Sequence, residues 1–323
     1  MINTKTKKIG LALGSGASRG LTHIGVLKAI DELGIKIDYI SGCSIGALIG
    51  GAYAMGMKVQ EIEKIALQTD WKLMAKIFSP VISLSSLVSD KYLLEFLNTY
   101  FEGQTFNSLQ IPFSAIATDI ETGEMVVIKD GYLSTAIRAS ISLPLVFSPI
   151  QYASHRLVDG GLVNPVPVDV VNANNMDKII AVKLRGFSSA DYFNNGLNNV
   201  SYDRKTLKKL SLNDKIEYFI KHPLDFINGK DPTKKKLKYG TILYQMFIIA
   251  QTQMAELNIR NIKPDILIEP VTSKYKMFDF HKAEELIDIG YQTAKAKLNE
   301  YNLEVHKNRN LGMLGKDKDK NGK

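Results

Sequence analysis

The sequence predicts an α/β protein, a three-layer α/β/α sandwich built on a mainly parallel central sheet. Two observations carry this prediction: short apolar runs alternate with longer helical patterns, and glycine-rich turns follow the first two runs. Such alternation is typical of parallel strands whose crossover helices cover both faces of a sheet. With 323 residues, 45% of them hydrophobic, the chain suffices for one large domain or two smaller ones.

The predicted strands and helices follow one another in order along the chain. Strands are predicted at 8–13, 37–41, 113–118, 125–128, 179–183 and 265–268. Helices are predicted at 19–33, 45–55, 59–69, 132–140, 242–260 and 282–300. Because right-handed crossovers bring the carboxyl ends of parallel strands to one edge, we expect the site at that edge.

Four segments are expected from composition. Residues 1–185 form the α/β core, and 186–239 form a basic, aromatic-containing insertion or lid. Residues 240–306 add helices and a strand to the same domain, and the low-complexity segment 307–323 is a disordered basic tail.

The net charge of +8 is concentrated in two segments. Residues 203–238 carry eleven basic and five acidic side chains, and 307–323 carry six and two, so the rest of the chain is close to −2. These segments are either solvated surface or a contact with an anionic membrane. No motif for nucleic acid accompanies them.

The sequence also limits the kinds of site that the protein can form and indicates where in the cell it is located. The single cysteine, Cys43, excludes an intramolecular disulfide and a multi-cysteine metal site. Neither a signal peptide nor a spanning apolar run is apparent, so we expect a cytoplasmic protein.

The first glycine-rich turn can hold either a phosphate or an oxyanion. Its candidate residues are Gly14, Ser15, Gly16, Ala17 and Arg19. A dinucleotide site would need an acidic residue at the end of the second strand, whereas Asp38 lies at its start. We therefore favour backbone N–H groups that stabilise a tetrahedral oxyanion, with Arg19 bracing the loop or adding positive potential.

The second turn presents a candidate nucleophile. Ser44 stands in a G-x-S-x-G pattern between strand and helix, the context of a nucleophile elbow. The surrounding residues are Gly42, Cys43, Ile45 and Gly46. The alternative is a serine that only caps the following helix.

No histidine has a local setting that marks it as the base for this serine. His23 lies within an apolar stretch, typical of a packed structural residue. Asp159 follows the apolar pair at 157–158 and precedes two glycines, so it lies at a strand end. A buried carboxylate whose pKa rises towards the working pH can act as the base, although D-G is also an ordinary turn.

Four stretches together resemble the patatin-like phospholipases, particularly their bacterial, cytosolic-type branch. They are GSGASRG at 14–20, GCSIG at 42–46, ASISLP at 139–144 and DGG at 159–161. Their order and spacing match over about residues 8 to 182. The chain departs from the family where three consecutive glycines are common, since these positions read Ser15, Gly16 and Ala17.

The resemblance implies an acyl-hydrolase-type sandwich that cleaves lipid esters without metal or cofactor. It further implies a Ser–Asp dyad in which Ser44 is acylated and Asp159 is the base. The expected substrate is a phospholipid or lysophospholipid, with peripheral contact to an anionic membrane. Three alternatives stay open: an acyltransferase or thioesterase, for which Cys43 stands where a histidine is usual; a non-catalytic lipid- or protein-binding module; and, last, a dinucleotide-dependent oxidoreductase.

Overall fold

The computed structural model describes residues 7–69, 77, 90–144, 146–184 and 239–318. In this part of the chain eight strands form one sheet. They are β1 (Ile9–Leu13), β2 (Tyr39–Cys43), β3 (Phe113–Asp119), β4 (Met125–Ile128), β5 (Ile150–Tyr152), β6 (His155–Asp159), β7 (Lys178–Val182) and β8 (Ile266–Ile268).

The same residues form eight α-helices. They are α1 (Thr22–Glu32), α2 (Ile45–Ala54), α3 (Val59–Gln68), α4 (Asp90–Phe101), α5 (Leu133–Ser140), α6 (Val168–Ala173), α7 (Tyr239–Asn261) and α8 (Ala283–Lys318). Short 3-10 helices at Ala17–Leu21 and Gly160–Leu162 follow β1 and β6. None of the described helices combines the length and the apolar character needed to cross a bilayer.

The sheet is mainly parallel, as the sequence predicts. Its order is β5-β6-β3-β2-β1-β7-β8, and β4 pairs with β3 outside this path. The central strands β3, β2, β1, β7 and β8 pair in parallel. Strands β4 and β6 pair antiparallel with β3, and β5 pairs antiparallel with β6.

Helices cover both faces of the sheet, which makes three layers. Leu11 and Leu13 of β1 belong to the large core that includes buried residues of α1, α2 and α8. Ala12, between them, packs instead with Val168 and Val171 of α6. Since neighbouring strand residues point to opposite faces, this alternation confirms the predicted α/β/α sandwich.

One feature of the register brings β6 next to the end of β2. Ala115 pairs with Gly42 of β2 and with Ile128 of β4, which therefore lie on opposite edges of β3. Ala117 pairs with β4 on one edge and with Asp159 of β6 on the other. Strand β6 therefore continues along the edge where β2 ends.

The structure differs from the sequence-based boundaries at several elements. Strand β2 ends at Cys43, two residues beyond the predicted 37–41, because its pairing with β1 and β3 continues to that point. Helix α1 begins at Thr22 because a 3-10 turn precedes it. The predicted elements include neither helix α4 nor strand β5, and they give no bounds for helix α6 or strand β6.

The carboxyl-terminal end also differs from the prediction. Helix α8 continues to Lys318, whereas disorder was predicted from residue 307. Extending a helix adds one hydrogen bond per residue without a new nucleus, so a helix already packed on α1 can run on into a polar sequence. The predicted insertion or lid at 186–239 lies outside the described residues except for Tyr239.

Candidate active site

Ser44 lies at the sharp turn between β2 and α2. Its backbone has φ 56° and ψ −122°, in the left-handed region that is costly for a residue with a side chain. A Cβ at Gly42 would lie 2.4 Å from the carbonyl oxygen of Gly46, and one at Gly46 would lie 2.2 Å from that of Leu13. The glycines of the G-x-S-x-G pattern thus allow α2 to pack directly against the strand ends.

A buried hydroxyl holds this strained turn in place. The Ser44 N–H donates to Ser140 Oγ at 2.8 Å, and Ser140 Oγ donates to the carbonyl oxygen of Ile116 at 2.6 Å. Ser140 is fully buried at the end of α5. It therefore connects the elbow to β3.

Asp159 ends β6 and lies within hydrogen-bond distance of Ser44. Ser44 Oγ donates to Asp159 Oδ2 at 2.5 Å, and the Gly161 N–H donates to Oδ1 at 2.7 Å. The backbone N–H of Asp159 donates to the carbonyl oxygen of Ser142 at 2.9 Å. These contacts fix the carboxylate from both sides.

The surroundings of Asp159 change its acidity. Its side chain is 2% exposed, and burial raises its pKa from 3.8 to about 6, against the opposing effect of the hydrogen bonds from Ser44 and Gly161. The carboxylate is charged at neutral pH and can still take up a proton. Burial, and then the nearby Asp159, raises the pKa of the Cys43 thiol well above its usual value, so Cys43 stays neutral.

The glycine-rich loop between β1 and α1 lies beside Ser44, but only part of it offers free donors. The N–H groups of Gly14 and Ser15 donate to the carbonyl oxygens of Val182 at 3.1 Å and Pro165 at 2.8 Å. Of the predicted loop, Gly14 and Ser15 are therefore anchoring residues. The N–H groups of Gly16 and Ala17 have no acceptor among the described residues. Of the loop N–H groups proposed from the sequence, these two are therefore the candidate donors to an oxyanion.

Arg19 and His23 support this loop from within. Arg19 is buried, and its Nε donates to the carbonyl oxygen of Gly16 at 3.3 Å. His23 Nε2 lies 2.7 Å from the carbonyl oxygen of Gly14. Burial lowers the pKa of His23 to about 4, although the bond to Gly14 opposes this, so His23 is a neutral, packed residue. His155 instead lies 2.7 Å from Asp119 Oδ2.

Ser44 and Asp159 open into a cavity of about 190 Å³. Its wall is mostly apolar, and α2 contributes a stripe of four side chains at helical spacing: Ile45, Leu48, Ile49 and Ala52. Ser15 and Gln251 add polar groups near the dyad. In the described part of the chain no group of His, Cys, Asp and Glu side chains could hold a metal ion.

Two residues of this site were not singled out from the sequence. Ser140 lies in the 139–144 stretch, but nothing in that stretch indicates that its hydroxyl meets the N–H of a residue 96 positions earlier. Gln251 lies in a helix 236 positions beyond the loop that it contacts. Only the tertiary fold brings these side chains to the site.

Several known proteins resemble this chain in sequence. The family model for patatin-like phospholipases matches residues 11–172. An uncharacterised NTE family protein of Mycobacterium tuberculosis is 28% identical and aligns over 93% of this chain and 94% of its own length. Human patatin-like phospholipase domain-containing protein 6 is 28% identical over 89% of this chain and 20% of its own.

Two further matches are a fungal enzyme and a solved structure. Lysophospholipase NTE1 of Cryptococcus neoformans is 31% identical over 66% of this chain and 14% of its own. The crystal structure of VipD from Legionella pneumophila is 15% identical, with a TM-score of 0.48, and the match covers 91% of this chain and 67% of that one. The family model alone covers half of the sequence, including Ser44 and Asp159, and the chain therefore belongs to the patatin-like phospholipases, a family of lipid hydrolases.

Proposed function

We propose that this protein hydrolyses carboxylic esters of phospholipids or lysophospholipids, with Ser44 as the nucleophile and Asp159 as the general base. The observation that carries the proposal is the 2.5 Å hydrogen bond from Ser44 Oγ to Asp159 Oδ2, both of which line a mostly apolar cavity. A nucleophile and a base in direct contact are the minimum that acyl transfer needs. The apolar wall along α2 suits the acyl chain of a lipid.

The first half of the reaction forms an acyl-enzyme. Asp159 takes the proton of Ser44 as Oγ attacks the carbonyl carbon of the ester. The resulting oxyanion accepts hydrogen bonds from the N–H groups of Gly16 and Ala17. When the tetrahedral intermediate collapses, the C–O bond to the alcohol breaks, and Asp159 returns its proton to the leaving oxygen.

The second half repeats these steps with water. Asp159 accepts a proton from the water as its oxygen attacks the acyl carbonyl, and the same two N–H groups stabilise the oxyanion. Collapse releases the fatty acid, and the proton returns to Ser44 Oγ. No cofactor takes part in either half, and a carboxylate with a pKa of about 6 is matched to both proton transfers near neutral pH.

The amino-terminal half of α7 is our candidate for contact with the lipid surface. Met246 and Ile249 are 59% and 61% exposed, and Phe247 of the same helix lines the cavity. Exposed apolar side chains beside a substrate cavity favour docking on a bilayer. The basic segments of the chain would add attraction to anionic lipids.

The test compares the wild type with Ser44→Ala and Asp159→Asn. Hydrolysis of p-nitrophenyl butyrate and of mixed phospholipid vesicles should fall by about a thousandfold or more in both variants, and a fluorophosphonate should label the wild type but not Ser44→Ala. Exposed Asp288→Asn serves as the matched control and should behave as wild type. Labelled but inactive wild type with these esters would favour an acyltransferase or thioesterase, and an unlabelled wild type would favour a binding module.

A further inference from the structure

The hydroxyl of Ser15 has a specific partner on another element that lines the cavity. Gln251 of α7 donates from Nε2 to Ser15 Oγ at 3.0 Å, and both side chains line the cavity. Gln251 lies outside residues 11–172, the region matched by the family model. The contact therefore links the glycine-rich loop to a helix far along the chain.

A third segment meets the other two at the same point. A Cβ at Gly161 would lie 2.2 Å from Gln251 Nε2, 2.9 Å from Asp159 Oδ1 and 3.1 Å from Ser15 Oγ. The amide, the carboxylate and the hydroxyl thus surround one position that only glycine leaves open. A side chain on α7 thereby reaches both halves of the candidate machinery, the loop and the turn that holds Asp159.

Helix α7 does not depend on this contact for its position. Glu256 pairs with Lys183 at 2.5 Å, and Asn258 Nδ2 donates to Asn164 Oδ1 at 2.7 Å. Ala255, the residue before Glu256, is buried against the sheet. A substitution at Gln251 that keeps its length should leave α7 in place and remove only the donor.

We propose that Gln251 is a positioning residue that holds the Ser15 side chain, so that the following N–H groups of Gly16 and Ala17 stay directed at the oxyanion. The proposal rests on the proposed function. The backbone of Ser15 is anchored on one side by its bond to Pro165, and Gln251 anchors the side chain from the other. The amide is neutral, so it fixes the loop without placing a second charge beside Asp159.

The test uses Gln251→Met, which keeps the length of the side chain and removes the donor, with exposed Gln253→Met as the matched control. With p-nitrophenyl butyrate we expect kcat to fall about three- to tenfold in Gln251→Met, the size of one lost neutral hydrogen bond, with KM within about twofold. In a Ser15→Ala background, Gln251→Met should lower kcat by less than about twofold, because the Ser15 hydroxyl that Gln251 contacts is already absent. Equal kcat in Gln251→Met and Gln253→Met, or losses that simply multiply, would overturn the proposal.

Gln251→Glu provides a readout that a merely structural residue would not change. A carboxylate at this position would repel the charge on Asp159, so the acidic limb of the pH–rate profile should move up by about one pH unit. An unmoved limb would place the side chain away from Asp159 and count against the proposal.

Amide exchange separates this proposal from the proposed function. In Gln251→Met the Ser15 N–H should exchange with deuterium faster than in the wild type, whereas Gln253→Met should leave it unchanged. A wild type without any esterase activity would reject the proposed function while exchange still decides whether Gln251 holds the loop. Identical exchange in all three proteins would reject the positioning role.

Discussion

Ser44 and Asp159 lie 115 positions apart in the sequence, and their side chains are joined by a hydrogen bond of 2.5 Å. The register of the sheet creates this proximity. Cys43, the last residue of β2, pairs with Ile116, and Asp159 pairs with the next residue of β3, Ala117. A slip of β6 by one residue would turn the carboxylate to the other face of the sheet, so the candidate dyad depends on this pairing.

The first prediction concerns the pH dependence of ester hydrolysis. Because the base must be ionised and the pKa of Asp159 is about 6, kcat/KM should be constant above that pH. Below it, the value should fall about tenfold per pH unit. Initial rates on p-nitrophenyl butyrate between about pH 4 and pH 8 would measure this, with circular dichroism at each pH as the control for folding.

Two results would count against the assignment of Asp159. A rate that stays constant well below pH 6 in a folded protein would mean that the base is more acidic than a buried Asp159. Substantial activity in Asp159→Asn with the same acidic limb would point to another base, and the histidines would be tested next.

The second prediction concerns His23 and acid stability. The folded-state pKa of His23 is about 4, below its usual 6.5, so the unfolded state binds the proton more tightly. The contribution of neutral His23 to stability is therefore complete above pH 6.5 and is lost as the pH falls towards 4. The loss amounts to about 3 kcal/mol over this range.

His23→Gln should weaken this dependence, since a glutamine keeps a donor for the carbonyl oxygen of Gly14 and does not titrate. Urea unfolding at about pH 7 and about pH 4 should show that wild type loses about 3 kcal/mol more than the variant. Asp159 changes stability in the opposite direction. Because its pKa is raised in the folded state, the protonated carboxyl stabilises the fold, and this contribution is lost as the pH rises through 6. Asp159 is present in both proteins, so its effect cancels in the comparison. Equal pH dependence in the two proteins would contradict the prediction.

The local parts of the site could be predicted from the sequence, because they depend on neighbouring residues. The glycines at 42 and 46 and the strand before them are enough to place Ser44 at a strand–helix turn. Composition and spacing cannot bring Asp159 to the same point, since that follows from long-range strand pairing. At the sequence level only the family resemblance joined the two.

Other parts of the site depend on contacts that no local pattern encodes. The N–H groups of Gly14 and Ser15 donate to the carbonyl oxygens of Val182 and Pro165. These long-range bonds decide which N–H groups of the loop remain available to an oxyanion. Helix α4 is different, because Leu93, Leu97 and Phe101 are buried at helical spacing. Here the sequence does carry the pattern that predicts a helix. Composition suggested disorder at the end of α8, because it does not record the packing of that helix on α1.

The third prediction concerns the length of the acyl chain. Ala52 lies on the cavity-facing stripe of α2, eight residues beyond Ser44 and therefore about 12 Å along the helix. A phenylalanine there would fill the part of the cavity that a long chain needs and leave the space near Ser44 open. We expect Ala52→Phe to reduce hydrolysis of p-nitrophenyl palmitate by about tenfold or more relative to p-nitrophenyl butyrate.

Exposed Ala296→Phe on α8 is the control for the added ring, and thermal unfolding would check that Ala52→Phe is folded. The ratio of the two rates is the decisive quantity, because a general loss of activity lowers both. An unchanged ratio in a folded variant would mean that the acyl chain takes another path.

The last prediction concerns α7 and the membrane. Replacing Met246 and Ile249 together by serine removes two apolar side chains that can enter a bilayer, each contributing about 1 to 2 kcal/mol when buried. Binding to anionic phospholipid vesicles, measured by co-sedimentation, should weaken by about tenfold or more, and hydrolysis of vesicle lipid should fall with it. Hydrolysis of p-nitrophenyl butyrate, which is soluble, should remain at the wild-type rate, because neither residue is part of the dyad or the loop.

Leu257→Ser is the matched control, since Leu257 is 48% exposed on the same helix but lies about two turns further along it. If Leu257→Ser weakens vesicle binding equally, the contact does not depend on the end of α7 beside the cavity, and if the double variant binds as wild type, α7 does not face the lipid.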